Sequence, residues 1–317
     1  LWKHWLPAAV RREICGGSEE ALLENEALFQ RVCVFLGMAH DIGKATAVFQ
    51  ARILEMLPEV RERLAAEGLE IADIKTFTAP AEEGLEIPNP DKETFTDPSA
   101  VAHALAGQVI LHQRGVNEGI CEIVGAHHGK PQEAVSESTF DGNLVNFRGK
   151  DSDARLWADI WDAFLQCAVE VSGIQDITKL PELSGPQRVL LSGLLVMADW
   201  VASNQFYHPT ISIDELGRED MYPKRVCSAW KKLKLPAVWS AELGGMDEAE
   251  FAENFGFPPN ELQKAVLEES NAISEPGILI VEAQMGVGKT EAALAAAEIF
   301  AGKCGSGGLF FGLPTQA

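Results

Sequence analysis

The sequence lacks long apolar runs. Its longest, residues 189–202, is interrupted by Ser192, Gly193 and Asp199, and it falls short of the ~18 consecutive apolar residues that a membrane-spanning helix needs. The first residues lack the basic start and the small-residue cleavage site of a secretory signal peptide. Residue 1 is Leu rather than Met, which predicts that the natural start lies upstream. These absences predict a cytoplasmic protein with no membrane partner.

The sequence also lacks any pair of cysteines spaced as CxxC. Its six cysteines are far apart, and several fall in helical apolar patterns. They are Cys15, Cys33, Cys121, Cys167, Cys227 and Cys304. This spacing argues against a zinc ribbon, and it predicts buried free thiols in a reducing compartment rather than disulfides.

Positive charge is scarce. Lys and Arg number 26 against 47 Asp and Glu, which gives a formal net charge of −21. Such a chain repels nucleic-acid phosphates at long range, although bound divalent cations can invert the field inside a cleft. Any binding of DNA or RNA is therefore expected to be local and metal-assisted, or to depend on a partner.

What is present is enough apolar content for a large core. The chain has 317 residues, 46% of them hydrophobic, which suits one large domain or about two ordinary ones. Residues 1–212 place apolar side chains at helical spacing, for example Leu28, Val32, Phe35 and Ala39. We expect a mainly α protein in which this segment is an all-helical domain. Its helices include residues 99–113 and 118–128.

The helical periodicity weakens after residue 212. Residues 213–259 mix proline, glycine and charge, and we interpret them as a connecting region. Residues 260–317 predict a truncated α/β fragment that begins with a helix capped by Asn260. Its two strands are expected at residues 277–283 and 308–313, with a helix at residues 289–301 between them.

Six histidine and aspartate residues lie in apolar surroundings, where an unpaired polar side chain is costly. They are His40, Asp41, His103, His127, His128 and Asp199. Each has an ordinary structural alternative. His103 could be a hydrogen-bonded core residue, Asp199 could pair with an arginine, and the adjacent histidines could complement a helix dipole. One shared metal centre explains all six more economically than separate causes do.

The ligand types narrow the chemistry of such a centre. Mixed imidazole and carboxylate ligands favour Mn, Fe, Co, Ni or Zn over Mg or Ca, which prefer oxygen ligands, and we expect two divalent ions of Mn, Fe, Ni or Co. Asp41 is suited to bridge ions ~4 Å apart, and such a pair can clamp a phosphodiester and generate a hydroxide. Lys44 could neutralise the phosphate charge, or it could be a solvated cation near a helix start. We predict Asp41 and Lys44 as catalytic residues.

A second motif lies near the C-terminal end of the sequence. Residues 283–290, with the sequence AQMGVGKT, fit a Walker A phosphate loop in which alanine replaces the first glycine. The residues that would bind the nucleotide phosphates and magnesium are Gly286, Gly288, Lys289 and Thr290. A tight glycine-rich turn between a strand and a helix is the alternative, and we consider it the weaker one.

Four short stretches together resemble a known family. Residues 40–44 (HDIGK) are followed by residues 49–50 (FQ), then by residues 127–129 (HHG) and 197–200 (MADW). In order and separation they resemble the HD nuclease domain of the CRISPR-associated helicase-nuclease of type I systems. The resemblance implies an all-α HD domain that binds two metals and cleaves single-stranded DNA in antiviral defence. It also implies recruitment by a guide-RNA surveillance complex (Cascade).

The resemblance further implies how the two metals are held. The ligands of one ion would be His4, His40, Asp41 and Asp199. Asp41 would bridge to a second ion, whose other ligands would be His103, His127 and His128.

The end of the sequence resembles the start of a superfamily-two helicase of the same CRISPR family. The matching stretches are residues 290–294 (TEAAL) and 313–317 (LPTQA), and Gln263 stands where such helicases place an adenine-reading glutamine. The resemblance implies a RecA-like fragment that would use Mg-ATP in the full-length parent. The sequence contains no DExD/H box, second motor lobe or arginine finger, which hydrolysis needs. We therefore predict that this chain alone neither hydrolyses ATP efficiently nor unwinds DNA.

Two other functions stay open. An HD phosphohydrolase acting on nucleotides or cyclic dinucleotides would use similar ligands, although the helicase-like segment and the His127-His128 pair argue against it. A docking or folding module with structural histidines would need no metal, so metal removal would leave its stability unchanged.

Overall fold

The computed structural model describes residues 1–53, 95, 97–131, 137–149, 151, 154–211, 221–235, 241 and 244–312. Within these residues all regular secondary structure is helical, which confirms the predicted mainly α fold. The helices are α1 (Ala8–Cys15), α2 (Glu19–Ala39), α3 (Ala47–Ile53), α4 (His103–Gln113), α5 (Glu118–Gly125), α6 (Glu137–Asp141), α7 (Leu144–Arg148), α8 (Ala154–Ser172), α9 (Gly185–Ala202), α10 (Met221–Leu233), α11 (Glu248–Phe255), α12 (Glu261–Ala272) and α13 (Lys289–Cys304). Short 3₁₀ turns lie at Ile42–Lys44, Pro98–Ala100 and Ile177–Lys179. No single helix in the described ranges is long and apolar enough to cross a bilayer; only the bent pair Glu19–Lys44 and Ala47–Ile53 passes that test, by length and composition alone.

The chain divides into two compact units. The larger unit is Ile14–Lys232, and the smaller unit combines Leu1–Glu13 with Leu233–Ala317. Helix α10 therefore groups almost entirely with the larger unit, whereas α11, α12 and α13 belong to the smaller one. The domain boundaries at residues 212 and 259 stay a prediction.

Helix α2 contributes one apolar face to the core of the larger unit. Ser18 caps its first turn by accepting a hydrogen bond from the N–H of Ala21, which satisfies one of the free donors at a helix start. Val32, Phe35 and Ala39 are buried as their spacing predicts, whereas Leu28 of the same pattern is exposed; α2 packs against α8. This packing fixes the C-terminal end of α2, from which the first site residues follow.

Helices α4, α5 and α9 complete this core. Helix α4 packs against α5, and α9 packs against both α2 and α5. Fully buried side chains of this region include Ile110 and Leu111 on α4 and Ile123 on α5. Each burial of this kind contributes ~1.5–3 kcal/mol, so the helix ends that carry the predicted ligands are firmly held.

The smaller unit is built on α12 packed against α13. One buried cluster consists of Met246, Phe251, Leu267, Ala295 and Ile299. A second consists of Val266, Ala292 and Ala296, with Leu279 and Val281 packed against it. The helix predicted from residue 260 is confirmed, because Asn260 caps α12 by accepting a hydrogen bond from the N–H of Gln263.

The two strands expected in this unit are not formed in the part of the chain that the structure describes. Residues 276–284 and 306–312 are neither helix nor strand. Leu279 and Val281 pack against the helices, whereas Ile278 and Ile280 are 91% and 78% exposed. The alternating pattern of a strand is thus present without a hydrogen-bonded neighbour, which a strand needs for its N–H and C=O groups. The predicted RecA-like fragment remains a prediction.

All six cysteines are thiols rather than disulfides, as the sequence predicts. Cys15 and Cys121 are buried, and burial raises the pKa of the Cys121 thiol to about 12. The expectation of burial is wrong for Cys167 and Cys227, which are exposed on the outer faces of α8 and α10. Their positions follow helical apolar spacing, but neither helix is covered on that side within the described residues.

Candidate metal centre

The turn that follows α2 lies against the start of α4. His40 caps α2, and Asp41 opens the 3₁₀ turn that contains Gly43. A Cβ at Gly43 would lie 1.9 Å from the carbonyl oxygen of His103 and 2.6 Å from the backbone nitrogen of Gly107. Only glycine allows this approach, and it places His40 and Asp41 beside His103.

The histidines of α4 and α5 lie at helix ends rather than inside helices. His103 is the first residue of α4, because Pro98–Ala100 forms a separate 3₁₀ turn whose start is capped by Asp97. Helix α5 ends at Gly125, so that His127 and His128 lie in the turn beyond it. The predicted helices 99–113 and 118–128 are therefore too long at these ends. Helix ends commonly tighten into 3₁₀ turns that reuse the last carbonyls.

The six predicted side chains form two groups of three. One group is His40, Asp41 and Asp199, and the other is His103, His127 and His128. Within each group, one ligand atom from every residue lies within 4.8 Å of the others. The structure thus brings together residues from four separate segments of the chain.

Asp41 lies between the two groups. Its Oδ2 is 3.3 Å from Nε2 of His40. Its Oδ1 is 3.8 Å from Nε2 of His103 and 3.8 Å from Nε2 of His127. One carboxylate therefore offers a different oxygen to each group, as a ligand that bridges two ions would.

Backbone carbonyls fix the orientation of two imidazole rings. Nδ1 of His40 lies 2.8 Å from the carbonyl oxygen of Gly37, and Nδ1 of His127 lies 2.6 Å from that of Val124. A carbonyl only accepts hydrogen bonds, so Nδ1 must be the donor in both rings. Nε2 of each ring then faces the centre, which is the arrangement that orients histidine ligands in metal sites.

These two Nε2 atoms are buried and make no well-directed hydrogen bond. That of His127 belongs to a fully buried side chain and faces an Asp41 oxygen across 3.8 Å. Burial lowers the pKa of His127, with further lowering by His128 and His40, so the neutral ring presents a lone pair to a carboxylate. A cation between the two would satisfy both, and the donor set therefore fits a divalent metal.

The charges around Asp41 also favour a cation. Burial alone would raise the pKa of Asp41, but the neighbouring His40 and Lys44 outweigh it and hold the pKa below its usual range. Nζ of Lys44 is 2.6 Å from Oδ2. Burial opposes protonation of His40, but Asp41 and the Gly37 carbonyl raise its pKa. Asp41 is therefore ionised and draws positive charge.

In the second group, His103 and His127 are held as neutral imidazoles. Burial lowers the pKa of His103 to about 4, opposed by Asp41 and reinforced by His127 and His128. Nε2 of His103 is 2.7 Å from Nε2 of His128, so one of these nitrogens must donate to the other or both must face a cation. Neutral imidazoles are the form that binds metal.

Asp199 completes the first group from the last turn of α9. Its Oδ1 lies 3.5 Å from Nε2 of His40 and accepts a hydrogen bond from Oγ of Ser203 at 2.8 Å. The described contacts of Asp199 include no arginine, which the structural alternative for this residue would require. Sequence reasoning missed the supporting residues Gly107 and Ser203. Their signals are a glycine four residues after His103, and a serine four residues after Asp199 on the same helix face.

Residues 1–208 match the family model described as "Cas3, HD domain". The match covers more than half of the chain and includes all six clustered residues. The chain belongs to the Cas3 HD-domain family.

Relatives with curated descriptions align with the whole chain. It is 35% identical over 328 residues to the CRISPR-associated nuclease/helicase Cas3 of Streptococcus thermophilus, an alignment that covers 100% of this chain and 33% of the relative. It is 29% identical over 304 residues to the CRISPR-associated endonuclease/helicase Cas3 of Thermus thermophilus, with 95% and 30% covered. The chain thus spans about a third of the length of the curated relatives that it matches.

Solved structures show the same fold. One, described as a CRISPR-associated protein, has a TM-score of 0.61 at 25% identity and covers 95% of this chain and 30% of that one. T. fusca Cas3 bound to AMPPNP has a TM-score of 0.55 at 19% identity, with 97% and 32% covered.

His4 is the one metal ligand suggested by the Cas3 resemblance that neither group contains. Neither cluster among the described residues includes it. It belongs to the smaller unit, whereas both clusters belong to the larger one. Its role as a ligand stays a prediction.

The proposed phosphate loop lies beyond the part matched by the Cas3 HD model. Gly286 and Gly288 have φ values of +80° and +81°, a region that favours glycine, and α13 begins at Lys289. Nζ of Lys289 lies 2.6 Å from the carbonyl oxygens of both Ala283 and Gln284, while Thr290 is exposed. Nucleotide binding by these residues stays a prediction.

Gln263 braces this loop from α12. Its side chain is 1% exposed, its Oε1 accepts a hydrogen bond from the N–H of Asn260, and its Nε2 donates to the carbonyl of Gly288. Asn260 donates from Nδ2 to the carbonyl of Val287. Both ends of the Gln263 amide are thus engaged inside the protein, and its predicted contact with adenine remains untested. The sequence identified Asn260 as a cap but gave no signal of its contact with the loop.

Proposed function

We propose that this chain is a metal-dependent phosphodiesterase that cleaves single-stranded DNA. The observation that carries the proposal is the position of Asp41, which offers one oxygen to each group of ligands beside buried imidazole nitrogens. Sites of this kind, with two ions ~4 Å apart, act on phosphodiesters. The names of the curated relatives, which are Cas3 nuclease/helicases, support the same activity.

The clustered residues would serve as ligands of two ions. His40 and Asp199 would hold one ion and the three histidines of the second group the other, with Asp41 shared. His4 is proposed as a further ligand of the first ion. Bound ions would supply an activated water and neutralise the charge on the phosphate. The mixed nitrogen and oxygen ligands favour Mn, Fe, Ni or Co.

Lys44 has a second task in this proposal. Its ammonium lies 2.6 Å from Oδ2 of Asp41, on a side chain that is 44% exposed. A cation bound by Asp41 would displace it from the carboxylate. Because the side chain is long and partly exposed, its charge would then be available to the substrate phosphate.

In the full-length parent, we propose that Mg-ATP binds the loop at residues 283–290 and that a motor feeds DNA to the metal centre. A surveillance complex guided by RNA would recruit the parent in the cytoplasm. The support is the naming of the relatives as helicases and the thiol state of the six cysteines. This chain alone is not expected to hydrolyse ATP efficiently or to unwind DNA.

The test is cleavage of circular single-stranded DNA by metal-stripped protein, titrated separately with Mn, Ni, Co, Fe, Mg and Zn. Cleavage should require a transition metal and disappear in Asp41→Ala. A matched control is Asp162→Ala, which removes an exposed carboxylate on α8 and should leave cleavage unchanged. Hydrolysis of nucleotides or cyclic dinucleotides, without cleavage of DNA under any metal, would instead favour the phosphohydrolase function.

A further inference from the structure

Helix α10 is basic in a strongly acidic chain. Its sequence, MYPKRVCSAWKKL, contains four basic residues and no acidic one, whereas the whole chain has a net charge of −21. The residues just before it, 212–220, are acidic in sequence and lie outside the described ranges. Within the described residues, α10 therefore concentrates positive charge on one element, as a local site for an anion would.

The same helix exposes aromatic and apolar side chains. Ala229 is buried, whereas Tyr222, Val226 and Trp230 follow one another at four-residue spacing and are 48%, 60% and 36% exposed. Residues four apart share one face of a helix. An exposed stripe that carries two aromatic side chains, Tyr222 and Trp230, on a basic helix matches both parts of single-stranded nucleic acid, the flat bases and the phosphates.

A direct contact links α10 to the segment after α9. Nζ of Lys232 donates to the carbonyl of Phe206 at 3.1 Å and lies 5.4 Å from the centre of the Phe206 ring. The Phe206 side chain is 67% exposed. The cation lies over one face of the Phe206 ring, so the opposite face is available to stack on a base.

The segment also leads to the metal centre. Trp200, which is 66% exposed, is the residue after Asp199. The N–H of Ser203 donates to the carbonyl of Asp199, and the N–H of Phe206 donates to Oδ1 of Asn204. Trp200 and Phe206 thus flank the C-terminal end of α9, the element that supplies Asp199 to the centre.

We propose that single-stranded nucleic acid binds along the α9–α10 surface, defined by Trp200, Phe206, Tyr222, Arg225, Trp230 and Lys232. The inference rests on the proposed function, and it adds the path by which the strand approaches the metals. Bases stack on the aromatic side chains, and the basic side chains contact phosphates. An apolar protein partner would not need the four basic residues of α10, which is why the occupant is a polyanion with flat bases.

The experiment measures binding of a labelled oligothymidylate by fluorescence anisotropy. The protein carries Asp41→Ala and the buffer contains EDTA, so that cleavage does not interfere. Trp200→Ala and Phe206→Ala should each weaken binding about tenfold, within the range for loss of one stacked base, and Trp200→Phe should largely restore it. Arg225→Ala with Lys232→Ala should lower the slope of log affinity against log salt by about 1.4, since each lost phosphate contact on a single strand contributes ~0.7.

Exposed residues on α8 provide matched controls. Phe164→Ala removes a ring that is 48% exposed, and Arg155→Ala removes a cation that is 92% exposed; both should bind as the parent does. Circular dichroism and thermal midpoints verify that each variant is folded. The proposal is overturned if the unchanged protein does not bind, if the surface variants bind normally, or if the controls lose as much.

These experiments distinguish failure of the α9–α10 surface from failure of the proposed nuclease function. Metal-dependent cleavage that is unaffected by the surface variants, with normal binding, would reject the α9–α10 surface and retain the nuclease. Binding that depends on the surface, without cleavage under any metal, would retain the surface and reject the nuclease. If the surface variants bind phosphatidylserine vesicles more weakly than the parent but bind the oligonucleotide equally well, the surface binds membrane lipid and the proposal is overturned.

Discussion

A buried nitrogen lone pair that faces a carboxylate is unfavourable unless a proton or a metal lies between them. His127 is in this position, since its Nδ1 is committed to the Val124 carbonyl and its Nε2 faces Asp41. The sequence was sufficient to locate the six clustered residues, because the adjacent pairs His40-Asp41 and His127-His128 are unusual in apolar surroundings. It did not reveal which oxygen of Asp41 faces which group, because that depends on backbone turns from distant segments.

The two groups are expected to differ in the protons that they release on binding metal. The pKa of His40 is raised. At a pH below this pKa the ring carries a proton, which a binding ion must displace. The pKa of His103 is lowered to about 4, so this ring is already neutral at pH 6 and releases almost none. Calorimetry in buffers of different ionisation enthalpy should therefore show more proton release for His103→Asn, which retains the His40 group, than for His40→Asn.

His112→Asn is the matched control for these variants. His112 is an exposed residue in the last turn of α4, the helix that begins with His103. Its replacement should preserve two bound ions, whereas each ligand variant should lose about one by elemental analysis. Equal proton release from the two ligand variants would contradict the assignment of a charged His40 and a neutral His103.

At the scale of elements, sequence periodicity located the helices better than their ends. Helices α2 and α12 lie where the sequence pattern places them, because each buries one face. The ends of α4 and α5 were wrong by a few residues, because Asp97 caps a separate turn and the chain tightens after Gly125. The strands predicted near Leu279 and Phe310 were wrong for another reason. The alternating burial of a strand is present around Leu279, but a strand also requires a hydrogen-bonded neighbour.

Replacement of Gly43 by alanine should destabilise the turn that carries Asp41. The new Cβ would lie 1.9 Å from the His103 carbonyl oxygen, and relief of such overpacking typically costs about 1–3 kcal/mol. Chemical denaturation should show a lower free energy of unfolding, with weaker metal binding because the turn shifts away from α4.

Gly37→Ala is the control on the same helix. Nothing lies within 4 Å of a Cβ at this exposed position, so alanine should stabilise α2 by about 0.5–1 kcal/mol through its better helix propensity. Equal losses of stability at Gly37 and Gly43 would show that the close approach of Gly43 to α4 is not the cause.

For the molecule as a whole, the division into two units determines which helices a bound metal can stabilise. Both ligand groups lie in Ile14–Lys232, and the proposed nucleotide loop lies in the other unit. The predicted boundaries along the chain did not anticipate that Leu1–Glu13 would group with the C-terminal residues. This association depends on contacts between segments that are far apart in sequence, and no local pattern records it.

Chelation should therefore destabilise the larger unit, which holds the six clustered ligands, more than the smaller unit, which contributes only the proposed ligand His4. A metal present at a hundred times its dissociation constant stabilises the unit that binds it by about 2.7 kcal/mol per site. Hydrogen exchange measured with and without EDTA should show faster exchange in α2, α4, α5 and α9, and little change in α12 and α13.

The matched control for that measurement is Asp41→Ala, in which EDTA should have almost no effect on either unit. If α12 and α13 respond to EDTA as strongly as α4 does, the metal is bound elsewhere or the units unfold together. If no helix responds, the histidines have only a structural role.

The contact between Gly43 and α4 also constrains how the sequence can evolve. A side chain at position 43 fits only if the backbone around His103 and Gly107 first moves away. That movement would separate His103 from Asp41, and the centre needs both. No single mutation along such a route is harmless, so selection would remove the intermediates. Descendants of this gene are therefore expected to vary freely at Gly37, six positions earlier, while position 43 stays fixed for as long as the centre binds metal.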